Sequence, residues 1–341
     1  MHRAGDAGQN LYRQNERENS TSSGQQNLLR RDSDGGAIMK AIGIDIGGTG
    51  VKGGIIGSDG VMLRREAVKT NVLNNREGVL ESLFSVIDSL LEKEEDIVGI
   101  GVGTAGRVKT DTGEVVYATA NLPGWQGTRV GQLLTERYQL PSFIENDANA
   151  ALIGEAWKGR ERKFVSVTML TLGTGVGGAN MLGGKVVTGG HYQSGEWGHV
   201  VLVPDGRPCN CGMKGCIEQY LSGSALVKSA NEGTSINFSH GKDIFRAFSD
   251  GIEEIKKVVD TYLDHLALAI YNISVSVDPE AVIIGGGVID SKEYWWDFLL
   301  KKLDKYNVPT KILPAKLGNE AGMFGAAKLV FDGVKKRGKC Q

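Results

Sequence analysis

Two stretches decide how this chain folds: Asp45-Ile46-Gly47-Gly48-Thr49-Gly50-Val51-Lys52 and Leu172-Gly173-Thr174-Gly175-Val176-Gly177-Gly178. Each is a glycine and threonine turn set between apolar runs. The runs are Ala41 to Ile46 and Val51 to Ile56 around the first turn, and Phe164 to Leu172 and Gly177 to Met181 around the second. Glycines lacking Cβ let backbone N–H groups face phosphate oxygens, Thr49 adds a hydroxyl, and Asp45 is placed to hold Mg²⁺ through water. One such turn reads equally as a plain hairpin with a capping Asp. It is not a P-loop, because no G-x-x-x-x-G-K-[ST] order leads into a helix. Two of them suit a polyphosphate gripped from both sides of a cleft, and the repeat points to two related lobes.

Outward from the first turn, Val61 to Val68 adds a third strand through Ser58-Asp59-Gly60, giving an antiparallel meander. Val79, Leu80, Leu83, Phe84, Ile87, Leu90 and Leu91 recur at helical spacing, and Ile97 to Val102 reads as a buried strand. Beyond the second turn, Ile252, Ile255, Val259, Leu263, Leu266, Ile270 and Ile273 form a long helical stripe. Ala281 to Ile284 is a strand that runs into Gly285-Gly286-Gly287, and Glu320 to Phe331 reads as a closing helix. The triple glycine offers a flat backbone surface to a nucleobase or ribose, or is a simple strand exit. The alternation places the chain in the α/β class.

Between the turns, Glu145-Asn146-Asp147-Ala148-Asn149-Ala150-Ala151 joins a strand ending at Ile144 to an alanine-rich helix. Asp147 is there either an N-cap or a general base, kept ionised by the helix dipole and able to accept a hydroxyl proton during phosphoryl transfer. His199 precedes Cys209-Asn210-Cys211-Gly212-Met213-Lys214-Gly215-Cys216. One imidazole and three thiolates complete a tetrahedral Zn²⁺ site with no position for water, hence a structural one. With Arg207 and Lys214 as its only cations, the loop is a poor nucleic-acid module. Glu196 and Glu218 flank it, and folding around zinc would bring both carboxylates to one cleft wall, where they suit sugar hydroxyls. Singly, each reads as a surface charge. Asn121-Leu122-Pro123-Gly124-Trp125 adds an amide to that wall, or is a plain turn.

A length of 341 residues fits roughly two domains. Lys plus Arg number 39 against 40 acids, so the net charge of −1 gives no basic excess for nucleic acid. No apolar run approaches the roughly 18 residues that span a bilayer, so no membrane partner is expected. Three of the 4 cysteines fall in the metal loop, a use of reduced sulfur that points to the cytoplasm. Residues 1–38 are polar and aperiodic and read as a disordered tail, one absent from the native chain if translation starts at Met39.

Taken in order, these motifs resemble the ROK family of sugar kinases and repressors, over Lys40 to Phe331. The resemblance implies an actin-like ATPase (ribonuclease H-like) α/β fold, two lobes with a cleft between them. The small lobe would comprise residues 39–157 plus 318–333, and the larger one 158–317. Asp147 would be the catalytic base. Asp45, Gly47, Gly48, Thr49 and Lys52 would bind ATP with Gly173, Thr174, Gly175 and Gly177, while Gly286 and Gly287 lie near the adenosine. Asn146, Asp147, Glu196, His199 and Glu218 would contact a hexose, His199 serving zinc as well. Ala105, Trp197 and Ala179 depart from the family pattern. The implied activity is ATP- and Mg²⁺-dependent phosphorylation of a hexose 6-hydroxyl, glucose first, with N-acetylmannosamine or another hexose as alternatives. A sugar-responsive repressor would need an N-terminal DNA-binding helix pair, which residues 1–38 do not offer. A homo-oligomer, dimer or tetramer, is also implied.

Overall fold

The burial pattern of the first strand explains its place. β1 (Lys40–Ile46) buries Ala41 to Ile44 without interruption, as a central strand does. It pairs antiparallel with β2 (Gly50–Gly57), which pairs in turn with β3 (Met62–Lys69), a strand of strict in-and-out alternation at the sheet edge. α1 (Asn75–Leu91) returns the chain to β4 (Ile97–Thr104), parallel to β1. A small hairpin, β5 (Arg107–Lys109) and β6 (Glu114–Tyr117), then precedes α2 (Val130–Tyr138), β7 (Ser142–Asn146) and α3 (Asp147–Trp157). The sheet order is β3-β2-β1-β4-β7. In this computed structural model the described residues are 37–92, 94–159 and 164–338. Residues 1–36 of the expected tail, and Cys340, lie outside them.

The second sheet repeats the plan. β8 (Val167–Leu172) and β9 (Val176–Leu182) form a hairpin around the second glycine turn, extended by β10 (Lys185–Val186). After the metal loop come α4 (Glu218–Leu221), α5 (Gly223–Gly233), α6 (Gly241–Ser249) and α7 (Glu253–Val277). β11 (Ala281–Gly285), α8 (Trp296–Asp304), β12 (Lys311–Pro314) and α9 (Ala321–Gly338) complete the chain. The order β10-β9-β8-β11-β12 has the same antiparallel and parallel neighbours as the first sheet. Two lobes of related topology result. The long stripe on α7 is core, with Ile255, Val259, Leu263, Leu266, Ile270 and Ile273 all buried, while Ile252 is the residue before the helix.

α9 does not stay with the second sheet. It lies across β1 and β4 and against α3 at van der Waals limits. A Cβ on Gly101 would stand 1.9 Å from the Ala326 carbonyl oxygen, and one on Gly325 would stand 1.7 Å from that of Ala150. Glycine at these points lets two backbones touch, which fixes α3, and with it Asp147, at the mouth of the first sheet.

Candidate active site

The carboxyl ends of parallel strands are where open α/β sheets bind ligands. Here β1, β4 and β7 end side by side, with Asp45 level with Gly103 and Thr104 level with Asn146. Asn146 caps α3: its Oδ1 accepts the Asn149 N–H at 3.1 Å. The expected choice for Asp147 between cap and base is thereby narrowed, because the cap is its neighbour. Asp147 opens the helix, and its Oδ1 accepts from Asn146 Nδ2 and Ala148 N–H, both at 2.9 Å. Asn146 Nδ2 also donates to the Gly106 carbonyl at 2.8 Å.

The electrostatics of Asp147 differ from those expected of a carboxylate eased by a helix dipole. Burial in the cleft wall, then the nearby Asp45 carboxylate and Glu196, raise it from 3.8 to about 6, against the Ala148 N–H that lowers it. Loss of water outweighs the dipole. Asp45 is also pushed up by burial, partly offset by Lys52, its cross-strand partner. Behind them, the buried Glu145 is raised by desolvation and eased by hydrogen bonds from Asn149 and Asn146.

A cavity of about 320 Å³ brings most of the named residues together: Asn146, Asp147, Glu196, His199, Glu218, Gly173, Gly175, Gly177 and Gly286 all line it. The Glu218 carboxylate accepts the Val176 N–H at 3.0 Å, and a Cβ on Gly175 would lie 2.4 Å from it. The second glycine turn and the metal loop are thus in direct register. A second cavity of about 570 Å³ shares Gly173 with the first and is lined by Thr174, Gly287, Ser224, Val227, Lys242 and Phe245.

Other expected residues lie outside these two cavities. Asn121 is exposed and lies beside Gly48, whose Cβ would meet its carbonyl oxygen at 3.1 Å, and it does not line the cavity. Gly47, Gly48, Thr49 and Lys52 line neither cavity. The Gly47 N–H is spent on the Gly50 carbonyl at 3.0 Å, and the Gly173 N–H on that of Gly175 at 2.9 Å, so neither faces outward. Trp197, next to Glu196, turns its indole to Asn180 on β9 at 3.0 Å and stays out of the cavity.

The structure adds residues that sequence reading passed over. Arg107 and Tyr117 face each other across the β5–β6 hairpin, the guanidinium 4.6 Å from the ring centroid, and both line the first cavity. Arg107 Nε lies 3.9 Å from Glu196 Oε1, an ion pair that reaches across the cleft. Gly106, with φ of 107°, ends the β4 exit much as the other glycine turns end theirs, and was the available signal.

The metal loop is closed by its own backbone: Cys209 N–H donates to Met213, and Gly215 N–H to Arg207. One ligand atom from each of His199, Cys209, Cys211 and Cys216 lies within 4.8 Å of the rest. Cys209 Sγ is 3.7 Å from His199 Nδ1, and Cys211 Sγ is 3.6 Å from Cys216 Sγ. Those are edge lengths of a tetrahedron with metal–sulfur bonds of about 2.3 Å.

The sequence profile of the ROK family matches residues 41–332. The chain belongs to the ROK family. A glucokinase of Halalkalibacterium halodurans is 31% identical over 312 residues, covering 85% of this chain and 94% of the relative. An N-acetyl-D-glucosamine kinase of Citrobacter koseri is 34% identical over 308 residues, covering 84% and 98%. A solved ROK glucokinase from Streptomyces griseus, in complex with glucose and AMPPNP, superposes with a TM-score of 0.73 at 30% identity, covering 86% of this chain and 99% of that one. Among the described residues, no helix of this ROK chain is long and apolar enough to cross a membrane.

Proposed function

We propose that this ROK chain transfers the γ-phosphoryl group of ATP to the 6-hydroxyl of a hexose, glucose being the preferred sugar. The observation that carries the reading is the meeting of two cavities at Gly173, one lined by the carboxylate of Asp147 with its raised affinity for protons, the other of about 570 Å³. A phosphoryl donor in the larger cavity and an alcohol in the smaller would then react across the glycine turn. With Oδ1 of Asp147 held by Asn146 and Ala148, we assign Oδ2 to the hydroxyl proton. The sugar oxygen attacks the γ-phosphorus as that proton leaves, and lobe closure keeps water from competing.

Glu196, Glu218 and His199 supply acceptors for the remaining hydroxyls, and Arg107 supplies a donor. Asp45 and Asp147 repel one another across the mouth of the first sheet, an arrangement that a hard divalent cation relieves. Mg²⁺ fits that oxygen donor set, with Asp45 the residue to hold it through water, and when bound it neutralises charge on the phosphates. Zn²⁺ fits His199, Cys209, Cys211 and Cys216, and its role is to hold the loop that presents His199 and Glu218. The reduced thiolates suit a cytoplasmic enzyme.

The relatives named above act, by their names, on glucose or on N-acetyl-D-glucosamine, so a second hexose is a direct rival. A panel of glucose, mannose, fructose, N-acetylglucosamine and N-acetylmannosamine with ATP, coupled to ADP release, decides it. Glucose is expected to give the highest kcat/KM. Higher values for an N-acetyl sugar would move the assignment, and no turnover with any of them would reject kinase function.

A further inference from the structure

Glu155 lies near the far end of α3 from Asp147 and is fully buried. Its Oε1 accepts two backbone N–H groups, from Lys316 at 2.8 Å and Leu317 at 2.6 Å. Those two residues are the crossing from β12, in the second sheet, to α9, which packs on the first. The chain's other crossing begins at the same carboxylate. Gly159 N–H donates to the Glu155 carbonyl at 3.0 Å, and a Cβ on Gly159 would stand 2.0 Å from Oε2. One buried side chain therefore lies against the chain at both passages between the sheets. Its helix, α3, packs on β4 and β7 of the first sheet and on β8 and β9 of the second. Solubility does not call for a carboxylate there, and burying one is costly unless its hydrogen bonds are made.

We propose that Glu155 is a positioning residue for the phosphoryl transfer proposed above, the pin that fixes α3 to the β12–α9 crossing. With the far end of α3 tied to the second sheet's exit strand, its near end carries Asp147 to a set distance from the Gly173–Gly175 turn. Releasing the pin loosens the distance between Asp147 and that turn across the smaller cavity, and leaves the larger cavity, lined wholly by residues from Gly173 to Ser291, intact. Ground-state binding of nucleotide in the larger cavity is then little affected. The step that needs both lobes in register is slowed.

Three substitutions in the full chain test this: Glu155→Gln keeps a carbonyl oxygen for both N–H groups, Glu155→Leu keeps the bulk without an acceptor, and Gly159→Ala pushes on the carboxylate from outside. Rates are normalised to nucleotide sites counted by calorimetry with a non-hydrolysable ATP analogue, so that unfolded protein is not counted. Glu155→Leu is expected to lose at least about 10-fold in kcat with the KM for ATP changed less than about 3-fold, Gly159→Ala to fall between it and wild type, and Glu155→Gln to stay within about 3-fold of wild type. Wild-type kcat in Glu155→Leu, or equal losses in the Gln and Leu variants, would overturn the proposal. Amide hydrogen exchange keeps it separate from the functional reading. Lys316 and Leu317 should be protected in wild type and exchange at least about 10-fold faster in Glu155→Leu, even if wild type phosphorylates no hexose. Equal exchange in both would remove the pin.

Discussion

At the scale of one residue, the proposed role of Asp147 as base would come at a cost to the fold. Its carboxylate is held near 6 rather than 3.8 because the cleft wall strips water from it and Asp45 stands close by. A base of that strength is mostly ionised at pH 7 and still binds a proton more tightly than an ordinary aspartate, which favours proton acceptance. The sign for stability follows directly. The native state binds the proton more tightly than the unfolded chain, so the benefit of protonation is complete below 3.8 and is lost as pH rises through about 6. Asp147→Asn should therefore lower kcat by at least about 100-fold while raising stability at pH 7 by about 1 kcal/mol, discounted for partial exposure. In wild type, kcat/KM should fall about tenfold per pH unit below about 6, and the residual rate of the variant should not. A pH-rate profile and thermal unfolding of both proteins at pH 4 and pH 7 measure these. Undiminished turnover in the variant would take Asp147 out of the mechanism. The polarity of this site was not readable from the sequence. Asp at a helix start predicts an eased carboxylate, and only the packing of β1, β4 and β7 reveals how little water reaches it.

At the scale of elements, the glycine turns and the metal loop were the legible parts, because spacing along the chain decides both. Strands bounded by glycine announce themselves through β-branched runs, and cysteines at 209, 211 and 216 carry ligand spacing in the sequence itself. The β5–β6 hairpin was not legible: its strands of 3 and 4 residues are too short for a period to register. The larger cavity was legible only at Gly173, Thr174 and Gly287; the rest of its lining comes from α5, α6 and the chain around them, residues without a local signature. The loop also has a functional consequence. His199 is one of the candidate ligands and Glu218 follows the last of them by two residues, and both line the smaller cavity, so removing the proposed zinc should disorder the sugar side first. Protein stripped by a chelator, or carrying Cys216→Ser, is expected to show sugar KM raised at least about 10-fold, with nucleotide affinity changed less than about 3-fold. Calorimetry with each ligand separates the two, and an unchanged sugar KM in zinc-free protein would show that the loop does not shape the site.

At the scale of the whole molecule, duplication makes the chemistry workable. Two sheets of the same strand order bring the second glycine turn to the same cavity as Asn146 at the end of β7 and Asp147 beyond it. The repeat was visible in the sequence as two turns. A closing helix over Glu320 to Phe331 was also legible, and the family resemblance put residues 318–333 with the small lobe; α9 follows the second sheet and packs on β1 and β4 of the first. Small residues make that crossing close, with Gly101, Gly154 and Gly325 facing carbonyl oxygens of α9 or α3. Such contacts are silent in a periodicity reading, which registers apolar side chains. The most direct test is a crystal structure of this chain with glucose and a non-hydrolysable ATP analogue bound together. It should place an Asp147 carboxylate oxygen within about 2.6–3.2 Å of the sugar 6-hydroxyl, with that hydroxyl in line with the γ-phosphorus. A sugar bound with its 6-hydroxyl out of reach of Asp147, or turned away from the phosphate, would contradict the mechanism.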